Sequence, residues 1–294
     1  MISTQRLKEE KTSILKGGVG LSSLLFLLKG GSGIFCASSS LLASSLDSLM
    51  DAGVSFVNYL AARESARPPD PGHAYGHGKI ESLASYTQGI VILGLAFAIL
   101  MESLWRGLQG DGVFYSRLAL LTVLVAAVLN GIFSFFLHQA QKKTESLILK
   151  AEEAHYLTDI LSYVVLFLVF IAIRVTGWNG WDFLGGLLMA SYVAFLAGRI
   201  LWRAGNELAD HSLPPSALET LDRLIKGHDP RVRGYHELRT RRVGPQTFID
   251  FHLVMPPQES FEEAHEVAES LIQKIKSRFQ NADVTIHEDP EGGI

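Results

Sequence analysis

The sequence predicts an α-helical membrane protein with six transmembrane helices and a small C-terminal α+β domain, and three observations carry that prediction. First, residues 1–208 hold nearly all the long apolar runs. A run of roughly 18 or more apolar residues suits a helix rising about 1.5 Å per residue across about 30 Å of hydrocarbon. Second, residues 209–294 lose those runs and show the mixed polarity of a soluble domain. Third, of 294 residues 48% are hydrophobic and only 19% charged, with a mean hydropathy of +0.21.

By length and apolarity the spans fall at about 11–31, 34–63, 80–107, 114–141, 147–174 and 181–206. The breaks "KGGSG", "RPPDPGHAYGHGK", "GLQGDG", "QKKTES" and "TGWNGW" are rich in glycine, proline or charge. An even number of spans puts both termini on one side, and positive charge chooses it. Arg6, Lys8, Lys11, Arg63, Arg67, Lys79, Lys142, Lys143, Lys150, Arg199 and Arg203 share one face; the other offers only Arg106, Arg117 and Arg174. Both termini are therefore expected in the cytoplasm, with the chain in the cell (inner) membrane. Trp178 and Trp181 flank the last outer loop, as interfacial aromatics do.

The tail reads helix, strand, strand, helix, strand. "PSALETLDRLIKG" has helical spacing and a glycine stop. "GYHELRTRRVG" and "TFIDFHLVM" alternate and are joined by "VGPQ", a hairpin signal. "ESFEEAHEVAESLIQKIKSRF" is amphipathic, opens with a capping pattern at Ser260 and Glu263, and leads into "ADVTIHED". Helices on one face of a small open sheet suit that order.

Composition excludes several classes. A net charge of −4 and a pI of about 6.2 imply no general attraction to nucleic acid. The single cysteine, Cys36, rules out an internal disulfide framework. The opening "MISTQRLKEEKTSILKGG" mixes charges and lacks a small-residue cleavage site, so a removable signal peptide is not expected. No nucleophile–base constellation appears, and no glycine-rich loop ends in the Lys-Ser/Thr of a phosphate cradle, so an enzyme is not expected.

The chemistry sits in the spans. The second span places Asp47 and Asp51 four residues apart, on one helix face; the fifth does the same with His155 and Asp159. An ionised side chain at the centre of a span costs roughly 2.5–3.5 kcal/mol, so three bare carboxylates cost on the order of 8–10 kcal/mol. Something cationic must meet them. Within these two spans lysine and arginine occur only at the ends, as Arg63, Lys150 and Arg174, and none lies in the interior, which makes an internal salt bridge a poor candidate. Two helices each offering two ligands one turn apart close a four-coordinate site of one nitrogen and three oxygens. That donor set suits Zn²⁺ first, with Fe²⁺, Mn²⁺ and Cd²⁺ in the same range.

These paired motifs, together with "HAYGHGKIES" at the start of the third span and "YHELRTR", "DFHL", "EEAH" and "IHEDP" in the tail, resemble the cation diffusion facilitator family, in particular its YiiP-type bacterial zinc and iron carriers. The resemblance covers nearly the whole chain. It implies a homodimeric six-span exporter exchanging a divalent metal for protons, with a metallochaperone-like αββαβ cytoplasmic domain for regulation and dimerisation. Asp47, Asp51, His155 and Asp159 match its transport site. Asp70, His73 and His77 match its loop site between spans two and three, with Ala74 where proline is common. His236, His252, His265, His287 and Asp289 match a cytoplasmic binuclear site in which Asp289 bridges two ions. Lys79 and Asp210 match a latch pair. His138, His211 and His228 have no matching role.

A mechanism follows from ligand chemistry. Metal ligands must be deprotonated to bind, so protons and metal compete for the same groups. Histidine titrates nearest neutral pH, which makes His155 the best single candidate for the coupled proton with the aspartates as partners, though a proton is assigned to the set before any one residue. The rival expectation is a membrane-anchored metal sensor or scaffold that binds without moving the ion.

Overall fold

The computed structural model describes residues 4–35, 39–109, 117–178, 180–279 and 281–292. The chain divides into two compact units, Met1–Gly205 and Asn206–Ile294. Cys36 and the "GDG" of the second outer break lie outside the described residues.

The first unit is built of long helices: α1 (Thr4–Phe35), α2 (Ser39–Ser65), α3 (Lys79–Gln109), α4 (Arg117–Thr144), α5 (Leu147–Thr176) and α6 (Gly180–Leu208). Among the described residues five of them are long and apolar enough to cross a membrane; α2 is the exception. Its serines, Asn58 and two aspartates lower its hydropathy, so it depends on its neighbours for cover. It lies most extensively against α1. Its protein-facing stripe runs Ser45, Ser48, Ala52, Ser55 and Asn58, all buried, at the spacing of an α-helix.

One apolar cluster joins α1, α2, α4 and α5 through Leu15, Ala62, Leu137, Ile148, Leu149 and Tyr156. Another joins α3, α5 and α6 through Ile92, Ala96, Ala151, Met189, Val193 and Ala197. The α3–α6 approach is close: a Cβ at Gly186 would come within 2.7 Å of Ser103 Cβ. Small residues at such crossings let membrane helices gain dispersion contacts that lipid cannot supply. Helix α5 starts at Ser146, whose Oγ accepts from the Leu149 N–H, and stops at Gly177, a left-handed residue with φ 72°.

The second unit runs α7 (Pro215–Lys226), β1 (Gly234–Val243), β2 (Gln246–Met255), α8 (Phe261–Arg278) and β3 (Ala282–Pro290). The sheet order is β1-β2-β3, with β1–β2 antiparallel and β2–β3 parallel. Val243 pairs with Gln246, leaving Gly244-Pro245 as a two-residue hairpin loop. Gly244 adopts φ 57°, the left-handed geometry such loops need. Ile249, Phe251, Leu253 and Met255 alternate toward α7 and α8, where Leu221, Ile225, Val267, Leu271 and Ile275 meet them. Among the described residues the opposite sheet face therefore carries no helix of this unit. The capping box at Ser260 forms in both directions, side chain to Glu263 N–H and Glu263 side chain to Ser260 N–H.

Candidate metal centres

In the helical unit, α2 and α5 bring Asp51, His155 and Asp159 together. Each offers a ligand atom, and the three lie within 4.8 Å of one another. His155 Nε2 stands 3.0 Å from Asp51 Oδ1. A tetrahedral zinc site spaces its ligand atoms about 3.4 Å apart, so a modest inward adjustment closes these three on one ion. Supporting groups fix the set. Asn130 of α4 donates to Asp159 Oδ2 at 3.3 Å. The Tyr156 ring meets the His155 ring edge-on at 5.8 Å. Tyr156 is itself held by Ser22 at 2.9 Å and by donation to the Gly18 carbonyl at 3.3 Å.

Asp47 stands apart from the other three expected ligands. It occupies the turn before Asp51 but lies at the edge of the buried stripe of α2, exposed and outside the cluster.

Among the described residues no lysine or arginine forms an ion pair with these carboxylates, in line with expectation, but a lysine of the neighbouring helix α1 is buried close by. Lys29 is only 5% exposed, donates to Ser48 Oγ at 2.9 Å, and its charge acts on Asp159, Asp51 and Asp47. "KGGSG" reads as a break, yet α1 continues through it to Phe35. Glycine is tolerated in a membrane helix because leaving the helix exposes backbone groups where no water can satisfy them. Lys29 thereby enters the bundle from α1, outside the two spans whose charges drew attention.

Two further buried carboxylates were not anticipated. Glu152, fully buried one turn before His155, accepts from Ser55, Asn58 and Gln88, drawing α2, α3 and α5 together. Glu81 takes Lys11 Nζ at 2.6 Å and the Ser146 hydroxyl, so its charge is paired. The i, i+3 spacing of Glu152 and His155 was the signal available in the sequence.

The loop between α2 and α3 holds a second cluster, Asp70, His73 and His77. Asp70 Oδ1 accepts the backbone N–H of Gly72 at 2.9 Å and of His73 at 2.8 Å, an Asx-type turn that fixes the carboxylate. His73 Nδ1 lies 3.3 Å from Asp70 Oδ1 and His77 Nε2 3.3 Å from Asp70 Oδ2. Against the slight burial that raises it, those N–H groups and His73 hold the Asp70 carboxyl below its ordinary value. Gly76, at φ 79°, supplies a left-handed residue within this turn.

In the soluble unit the histidines share one rung of the sheet: His236 pairs with His252 across β1–β2, and His252 with His287 across β2–β3. Asp289, two residues after His287, lies beneath that row. Its Oδ2 is 2.8 Å from His252 Nδ1 and 3.1 Å from His236 Nε2; its Oδ1 is 3.3 Å from His287 Nε2. One carboxylate with both oxygens engaged has the form of a bridging ligand. His236 Nε2 is buried and, although close to Asp289 Oδ2, makes no hydrogen bond of good geometry. His252 holds the Asp289 carboxyl below its usual range. A bulge between His236 and Arg239 puts Glu237 at φ 50°, with Oε2 4.0 Å from His252 Nε2. His265 does not join this group. It lies off the buried stripe of α8, stacks on Phe261 and stands 3.7 Å from Glu288. Asp210 meets Arg241 at 3.3 Å, His138 meets Glu153 at 2.8 Å, and His228 meets Ser270 at 2.7 Å.

Comparison with known proteins decides what such centres belong to. The family model described as the cation efflux transmembrane domain matches residues 17–209, and the one described as the cation efflux protein cytoplasmic domain matches residues 213–291. The chain belongs to the cation diffusion facilitator family. It is a multi-pass membrane transporter of metal cations, not an enzyme. The cation-efflux pump FieF of Pectobacterium carotovorum is 35% identical over 271 residues, covering 92% of this carrier and 90% of that pump. FieF of Shewanella oneidensis is 33% identical over 275 residues, covering 94% and 92%. A metal-bound C-terminal domain of the CzcD transporter from Thermotoga maritima is 28% identical, covering 28% of this carrier and 99% of that domain with a TM-score of 0.26.

Proposed function

We propose that this carrier exports a divalent transition metal, Zn²⁺ foremost, from the cytoplasm in exchange for protons, by alternating access to a site between α2 and α5, and that it works as a homodimer in the inner membrane with both termini cytoplasmic. One observation carries the reading: Asp51, His155 and Asp159, from two apolar-flanked helices, offer converging ligand atoms in the helical unit. One imidazole and two carboxylates form a borderline-to-hard donor set. Zn²⁺, Fe²⁺, Cd²⁺ and Mn²⁺ all fall within it, and Zn²⁺ accepts the irregular, low coordination that three ligands offer. Asp47, one turn before Asp51, supplies the fourth ligand when α2 turns it inward.

Every ligand of the set must shed its proton to hold metal, so a proton entering from the outer side displaces the ion, and loss of that proton inside restores binding. The Asp70–His73–His77 loop would hold a second ion with one position left open. The rung of His236, His252 and His287 over Asp289 would hold a regulatory pair, the Asp289 oxygens shared between the two.

The deciding experiment uses vesicles reconstituted with the full chain and loaded with a zinc dye and a pH dye. Zinc flux should respond to an imposed pH gradient and disappear in Asp51→Ala. Zinc binding without flux would instead establish a membrane-anchored sensor.

A further inference from the structure

Lys29 sits where a carrier of divalent cations has least apparent need of a positive charge. It is buried in α1, one hydrogen bond from Ser48, and Ser48 lies between Asp47 and Asp51 on α2. Through Ser48 the ammonium is placed on the turn of α2 that carries Asp47 and Asp51, where the charges of Asp159, Asp51 and Asp47 act on it without a direct ion pair; His155 stands against Asp51. The charge of Glu102 of α3 also acts on Asp47. Among the described residues the other lysine buried in the helical unit, Lys11, is matched one-to-one by Glu81. Lys29, in contrast, faces a cluster with more negative charge than it can neutralise.

The charge arithmetic is simple. Counting the carboxylates of the proposed four-ligand site alone, Asp47, Asp51 and Asp159, three negative charges and one ammonium leave two, which one divalent ion neutralises. Without the ammonium the loaded pocket would keep a surplus negative charge, in a setting where unbalanced charge is expensive. An ammonium on a flexible four-carbon stem is also a compact point charge, able to shift as an ion arrives or leaves.

We propose that Lys29 is the resident cation of the transport pocket: it offsets the carboxylates when metal is absent, and by repelling the bound ion it weakens binding enough to let the ion leave. The inference rests on the reading of Asp51, His155 and Asp159 as the transport site. It assigns Lys29 no place among the ligands. Conduction needs a site that binds firmly enough to load and loosely enough to empty, and a fixed like charge beside the ion moves that balance toward emptying.

The test uses the full chain in detergent and in vesicles, with Zn²⁺ as probe, and reads the equilibrium Kd alongside the KM and maximal rate of flux. Lys29→Met should bind zinc about tenfold tighter or more, because a like charge beside the site has gone from a poorly screened setting. Its maximal flux should fall by a similar factor while its KM falls too. Lys29→Arg should move both values back toward wild type. Ser48→Ala, which removes the hydrogen bond and keeps the charge, should shift Kd less than Lys29→Met does. Lys29→Gln repeats the neutral case should the methionine variant fold poorly. If Lys29→Met or Lys29→Gln binds zinc with wild-type or weaker affinity, the inference is overturned, and so too if Ser48→Ala reproduces the lysine variant. Asp51→Ala separates the two layers. A wild-type Kd in Asp51→Ala defeats the site assignment itself, whereas loss of binding there with an unaltered Lys29→Met defeats only the role of Lys29.

Discussion

Asp159 can serve as a ligand only while its carboxylate faces His155, and Asn130 is the group on α4 that holds it so. Groups that orient a metal ligand commonly contribute 10- to 100-fold in affinity. Asn130→Ala should therefore weaken zinc binding by about that factor, read by calorimetry on the solubilised carrier; an unchanged Kd would mean that Asp159 is oriented by something else. In the soluble unit, Arg231 grips Asp229 through two bonds of 3.0 and 3.1 Å and holds its carboxyl at about 2. The folded value lies below the unfolded one, so this stabilisation is present above about pH 4 and is lost as pH falls toward 2. Amide exchange at residues 229–232 should quicken over that window in the wild type, and Asp229→Asn should flatten the dependence. The clustering of Asp51 with His155 and Asp159, of Asp70 with His73 and His77, and of His236 with His252 and Asp289 was legible in the sequence because such spacing maps directly onto a helix face, a short turn or a strand rung. Asp47 and His265, at matching spacings, stand outside those clusters. Lys29 was not legible, since its role depends on which helix lies beside α2, and no local pattern encodes a neighbour.

The elements divide along the same line. The order of α7, β1, β2, α8 and β3 could be read directly, because period-two and period-3.6 patterns are bounded there by Gly227, Gly244-Pro245 and Ser260. The end of α1 could not, because glycine breaks helices in water and is tolerated in lipid, where an open backbone has nothing to bond. The capping box at Ser260 should contribute about 1 kcal/mol to α8. Ser260→Ala is expected to raise amide exchange across the first turn of that helix, residues 261–264, while leaving β2 protected. Equal loosening throughout the unit would indicate that the cap supports the whole fold instead.

For the molecule as a whole, the rung of histidines is expected to report metal to the transport unit, which it can do only if metal favours one global arrangement over another. Replacing His236 and His287 together by alanine should remove that dependence of flux on cytoplasmic zinc and lower the zinc content per chain. An unaltered zinc content and an unaltered flux response would leave the soluble unit without a sensing role. Helix α2 has a bearing on how the protein is made. Its polar stripe, the very feature that presents Asp51 and gathers Ser48 and Asn58, leaves it the least lipid-soluble of the long helices. A segment of that kind partitions poorly alone, and its most extensive partner is the helix synthesised just before it. The first two helices should accordingly enter the bilayer as one hairpin: a reporter fused after α2 should integrate when α1 precedes it and slip through the translocon when α1 is deleted, so that biogenesis, like ion passage, depends on the first helix shielding the second.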